Sequence, residues 1–138
     1  MRYLLWAVLA LLGYTLVPAL VKLATRDIPS DVVLLISNGI LVVAAGSIVL
    51  LSDISVTGYL THPQAVYAYG AGIALTVGII AYYRALAAGP VSVVVPIFGM
   101  FIATSSIIGI AFLDEPLTTR KVAGIGMAVL AVYLTSVE

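Results

Sequence analysis

Cysteine is absent from the chain and histidine occurs once, as His62. That removes disulfides, thiolate zinc sites and cysteine nucleophiles together. Charge is scarce as well: Asp, Glu, Lys and Arg make up 9% of the residues, six of each sign, against about 25% in a soluble domain. No run of basic side chains exists to meet nucleic acid or to switch on and off a membrane surface. No nucleophile-base pair, metal-ligand cluster or phosphate-cradling glycine loop occurs, so an enzyme reading has no chemistry to stand on and no cofactor is expected. What the chain has in abundance is apolar surface, 63% of 138 residues with a mean hydropathy of +1.24. A soluble fold of this size could not cover itself with so few charges, so the lipid bilayer is the solvent.

About 20 apolar residues cross a hydrocarbon core roughly 30 Å thick. The sequence offers five such runs, at Tyr3–Ala24, Val32–Leu51, Ala65–Ala87, Val91–Leu113 and Lys121–Ser136, the last starting as early as Thr119. Between them lie Thr25 to Asp31, Ser52 to Gln64 with Gly58 and Pro63, Ala88-Gly89-Pro90, and Asp114 to Thr119, all rich in turn residues. The runs do not alternate polar and apolar and are twice the length of barrel strands. The expected fold class is therefore all-α integral membrane, one domain over residues 1–138 with five transmembrane helices. The first run continues too far for a cleaved signal and reads as a retained helix.

Five spans place the termini on opposite sides of the membrane, and the cations then divide evenly. Arg2, Arg120 and Lys121 fall on one side, Lys22, Arg26 and Arg84 on the other. Loop Lys/Arg excess sets orientation, so this tie leaves the chain weakly oriented and able to insert both ways. Many transporters are built from two inverted repeats around a site near the midplane. A chain inserted both ways makes the same object as an antiparallel homodimer.

The segment Ala81-Tyr82-Tyr83-Arg84-Ala85-Leu86-Ala87-Ala88-Gly89-Pro90-Val91-Ser92, followed by Pro96, Phe112-Leu113-Asp114-Glu115-Pro116-Leu117-Thr118 and Gly124-Ile125-Gly126, resembles the EamA domain of the drug/metabolite transporter superfamily. The features are an Ala-Leu helix end, a small-residue turn, a proline in the fourth run, an acidic residue before the fifth, and glycine-rich packing in the fifth. Trp6 and Lys22 agree in the first half. The resemblance implies half of a ten-helix inverted-repeat transporter, partnered by a second copy or a related chain, residing in the plasma membrane and exporting or exchanging small metabolites. Small relatives use a Glu in the first helix for proton exchange, and Tyr3–Ala24 contains no carboxylate.

Polar groups inside a membrane are costly, which makes them candidates for substrate contact. Lys22 shares a helix face with Tyr14 and Pro18, and Pro18 removes a backbone bond. Lys22 also lies near the helix end, where it can snorkel to water. Arg84, beside Tyr82 and Tyr83, can clamp a carboxylate or phosphate, or anchor at the head groups. Tyr69, Thr76 and Tyr83 recur every seven residues as one polar stripe, lining a cavity or bonding to neighbouring helices. Asn38 is the one amide of the second run. Pro96 and Gly99 are expected to break the fourth run at membrane depth, where transporter sites are found, whereas Gly124, Ala128 and Ala131 suit close packing in the fifth. Glu115 reads as a cap near the start of the fifth helix. With cationic side chains as the buried-charge candidates, the expected small-molecule substrates are anionic or zwitterionic, such as amino acids or organic acids. The competing reading is a membrane subunit or scaffold that transports nothing.

Overall fold

A computed structural model describes residues 2–113 and 116–136, apart from the side chains of Arg2 and Ser136. The described residues form helices α1 (Arg2–Ala24), α2 (Ser30–Leu51), α3 (Thr57–Leu60), α4 (Ala65–Ala88), α5 (Val91–Gly99), α6 (Phe101–Phe112) and α7 (Thr119–Ser136). They belong to two compact units, Met1–Ala88 and Gly89–Glu138.

Helix is the conformation that satisfies every backbone group from within one segment, which lipid demands. Hydroxyls on the helices are satisfied the same way. Thr15 donates to the Leu11 carbonyl at 2.7 Å, Ser47 to Val43 at 2.8 Å, Thr76 to Gly72 at 2.7 Å, Ser106 to Ile102 at 2.7 Å and Thr135 to Ala131 at 3.0 Å. Each closes a bond one turn back along its own helix. Among the described residues no buried side-chain polar atom lacks a partner.

Among the described residues, four stretches are long and apolar enough to cross a membrane: Tyr3–Ala24, Ser30–Leu51, Ala65–Ala88 and Val91–Phe112. α7 has 18 residues and starts with Thr119, Arg120 and Lys121. Its apolar part is about 22 Å long at 1.5 Å per residue, so a fifth span of full length is not among the four. α2 begins at Ser30, two residues before the apolar run, because Val32 and Val33 both donate to the Pro29 carbonyl, at 2.9 and 3.1 Å. Asp31 thereby joins the first helical turn instead of the preceding loop. The stretch after α2 turns through Asp53 at φ 52°, a left-handed conformation that aspartate tolerates better than most residues, and then forms the single turn α3. Asp114 and Glu115 lie outside the described residues.

The fourth apolar run is interrupted, as Pro96 and Gly99 suggest. α5 ends at Gly99, and Met100 donates to the Ile97 carbonyl at 3.2 Å, a tighter turn than α-helix. Pro96 has no N–H to offer the carbonyl of Ser92. Helical bonding resumes when Ala103 and Thr104 both donate to the Met100 carbonyl at 3.1 Å.

Within the first unit α1, α2 and α4 pack on one another. The buried side chains concentrate at one end: Val21 near the end of α1, Val33 near the start of α2, and Tyr82, Tyr83 and Leu86 in the last turns of α4, with Pro18 beside them. Leu86 is 0% exposed, whereas Leu51 at the far end of α2 is 86% exposed. Large apolar side chains along the rest of these helices point outward, a surface that lipid can cover and water cannot. Replacing Leu86 with Ala is expected to destabilise the protein by about 2–4 kcal/mol through the cavity it leaves. Leu51→Ala should stay within about 0.5 kcal/mol, as measured by reversible unfolding in mixed micelles.

Candidate functional site

The end of the first unit where the apolar side chains are buried also carries its polar links between helices. α1 ends there, α2 begins there and α4 ends there, because the three run alternately up, down and up. On α4, the last turns place Tyr83, Arg84, Leu86 and Ala87 within reach of both neighbours.

Three links converge on this stretch. The Tyr83 hydroxyl and the Ser37 hydroxyl of α2 share a hydrogen bond of 2.9 Å, and Ser37 is also 2.9 Å from the Val33 carbonyl of its own helix. The Arg84 guanidinium donates from Nε to Asp31 Oδ1 and from Nη2 to Asp31 Oδ2, each at 3.2 Å, a side-on bidentate pair. Both of its side chains are 63% exposed. The Lys22 ammonium of α1 donates to the carbonyls of Leu86 at 2.9 Å and Ala87 at 3.3 Å. These carbonyls stand in the last turn of α4, where helix hydrogen bonding runs out and the dipole favours a cation. Tyr82 and Tyr83 meet edge to face with centroids 6.5 Å apart.

The sequence candidates therefore divide. Lys22, Tyr83 and Arg84 come together, and Asn38 lies one residue from Ser37, its amide donating to the Leu34 carbonyl at 3.0 Å and approaching Ser37 Oγ at 3.4 Å. Tyr14 stands about two turns before Lys22 on α1 and is 68% exposed. The stripe of Tyr69, Thr76 and Tyr83 does not act as one row of hydroxyls. Tyr69 donates to the Leu60 carbonyl at 2.8 Å and Thr76 bonds within α4, so Tyr83 alone among the three reaches another long helix. Tyr69 also borders an open groove of about 330 Å³ with Tyr59, Leu60, His62, Gln64, Ala65 and Ala68. Pro96 belongs to the second unit, in α5. That unit has an apolar groove of about 320 Å³ lined by Ile107, Ile110, Ala111, Leu117, Val122 and Ile125.

Sequence reading missed Asp31 and Ser37 as members of the cluster. Arg84 lies 53 positions from Asp31, and Tyr83 lies 46 from Ser37, so no local pattern connects them. The available signal was an acidic residue directly after Pro29-Ser30, where a helix can start and its dipole favours negative charge.

The model of the EamA-like transporter family matches residues 1–137. No curated protein and no solved structure matches the chain.

A double-mutant cycle on Ser37→Ala and Tyr83→Phe is expected to show a coupling of about 0.6 kcal/mol, the usual worth of a hydrogen bond between membrane helices. Additive losses in an unfolding titration would mean that the two hydroxyls do not hold each other.

Proposed function

The chain belongs to the EamA-like transporter family, and on that footing we propose that it carries small anionic or zwitterionic metabolites, such as amino acids or organic acids, across the plasma membrane. The observation that carries the substrate class is the cationic character of the polar cluster, where Lys22 and Arg84 flank the end of α4 while Asp31 already lies in a bidentate pair with Arg84. Within the first unit, Tyr14, Lys22, Asn38, Tyr69, Thr76, Tyr83 and Arg84 are the proposed substrate contacts; Pro96, at the interruption of the fourth run in the second unit, is proposed as a contact in its own right. Tyr83 makes one of the helix-helix links and Asn38 sits next to it, and Tyr14, Tyr69 and Thr76 lie on the exposed lengths of α1 and α4.

We further propose that α7 acts as a fifth span and that the chain is half of an inverted-repeat transporter, completed by an antiparallel second copy or a related chain. Open small-residue positions support this. Among the described residues a Cβ added at Gly39, Gly46, Gly70, Gly78, Gly124 or Gly126 meets no atom within 4 Å, so there is local room at these positions for close approach by another helix. The even division of cations supports dual insertion in the same way. The competing reading, a membrane subunit without transport, draws support from Tyr69 and Thr76, whose hydroxyls are held by carbonyls of this chain.

Reporters active on only one side of the membrane, fused to the C-terminus, are expected to give signal on both sides. A single fixed orientation would overturn the homodimer and require an oppositely oriented partner. In reconstituted vesicles, uptake of amino or organic acids is expected, and Asn38→Ala should reduce it at least several-fold while shifting stability by about 1 kcal/mol or less. Vesicles that take up none of these solutes, with both orientations present, would favour the subunit reading.

A further inference from the structure

The three links at the end of the first unit differ in what they could release. Lys22 holds backbone carbonyls, which stay in place in any helical state of α4, and the Tyr83–Ser37 hydroxyl pair sits among buried side chains. The Asp31–Arg84 pair is different. Both partners are 63% exposed, they sit on separate helices, and either can be satisfied by water or a ligand once they part. Their side-on geometry joins the first turn of α2 to the last turns of α4, beside Val33, Tyr82, Tyr83 and Leu86, whose burial closes this end. Along the opposite halves of α1, α2 and α4 no such plug exists among the described residues, since those side chains are exposed.

We propose that the Asp31–Arg84 pair is the latch of a gate at this end of the first unit. With the pair made, the starting turn of α2 and the final turns of α4 are held together over the apolar plug. With the pair parted, the two helix ends separate and the plug is uncovered, which gives the substrate path an opening on this side of the membrane. Arg84 then serves as a gating residue whose fork an incoming carboxylate or phosphate can take over from Asp31, since both present the same two-oxygen face. The other charged groups at this end are Lys22 on α1 and Arg26 and Asp27 in the exposed connection. The proposal rests on the transporter reading, but it can be tested without any substrate.

The native chain has no cysteine, so a thiol can be placed at will. In the full chain reconstituted into vesicles, Val33→Cys reports on the plug, where Val33 is 7% exposed, and Ile28→Cys, at 39% exposed in the connection at the same end, reports on ordinary access. Reaction with a small water-soluble thiol reagent is measured. D31N and R84Q should each speed labelling at position 33 about five-fold, the effect expected from loss of one exposed ion pair. The reversed pair, D31R with R84D, should bring the rate back to within about two-fold of the starting value, and labelling at position 28 should stay constant throughout. Unchanged labelling at 33 in the single variants, no recovery in the reversed pair, or a parallel rise at 28 would each overturn the latch. Absence of solute uptake would speak against the transporter reading and leave the labelling result intact.

Discussion

Everything in this protein follows from backbone hydrogen bonds that have no water to fall back on. Within hydrocarbon an N–H or carbonyl without a partner costs several kcal/mol, so the apolar runs become helices. Side-chain hydroxyls obey the same demand and close onto carbonyls one turn back, as Thr15, Ser47 and Thr76 do. The ladder is interrupted in the fourth run. Pro96 has no N–H, and the chain takes a tighter turn at Met100 before α6 resumes. Where the ladder ends, at the last turn of α4, an ammonium takes over, and Lys22 meets the carbonyls of Leu86 and Ala87.

That last contact links chemistry to architecture. A helix terminus must find donors for its carbonyls, and the sequence places Lys22 at the end of α1 to supply them. Packing at the same end brings α2 close enough for Ser37 to meet Tyr83 and for Asp31 to meet Arg84. Polar links and buried apolar side chains therefore coincide at one end of the first unit, while most side chains along the remaining lengths of α1, α2 and α4 are exposed. In water such surface would collapse. In lipid no hydrophobic force drives helix to helix, so packing, small residues and a few polar bonds decide where contact occurs.

Much of the fold was legible in the sequence. Apolar runs of membrane length, broken by Asp, Gly and Pro, mark where helices start and stop, and a composition with so little charge names the solvent. The family resemblance covered nearly the whole chain, with its specific features concentrated in residues 80–130, and the family match spans residues 1–137. Less legible was the identity of partners. Arg84 announced itself as a group able to grip a carboxylate, yet nothing near it in sequence named Asp31, which reads as part of a turn until Pro29 proves to accept the first bonds of α2. The seven-residue spacing of Tyr69, Thr76 and Tyr83 correctly put three hydroxyls along one helix, but spacing says nothing about which of them has a neighbour.

Periodicity, length and composition are local properties, and the bilayer converts them directly into helices, so the sequence by itself determined the fold class and the approximate bounds of most spans. Pairing is a property of two distant segments. Only the tertiary structure decided that Asp31 occupies the Arg84 fork, that Lys22 caps α4 and that Tyr83 rather than Tyr69 joins α2, because those contacts depend on which helix ends the packing brings within about 3 Å of one another.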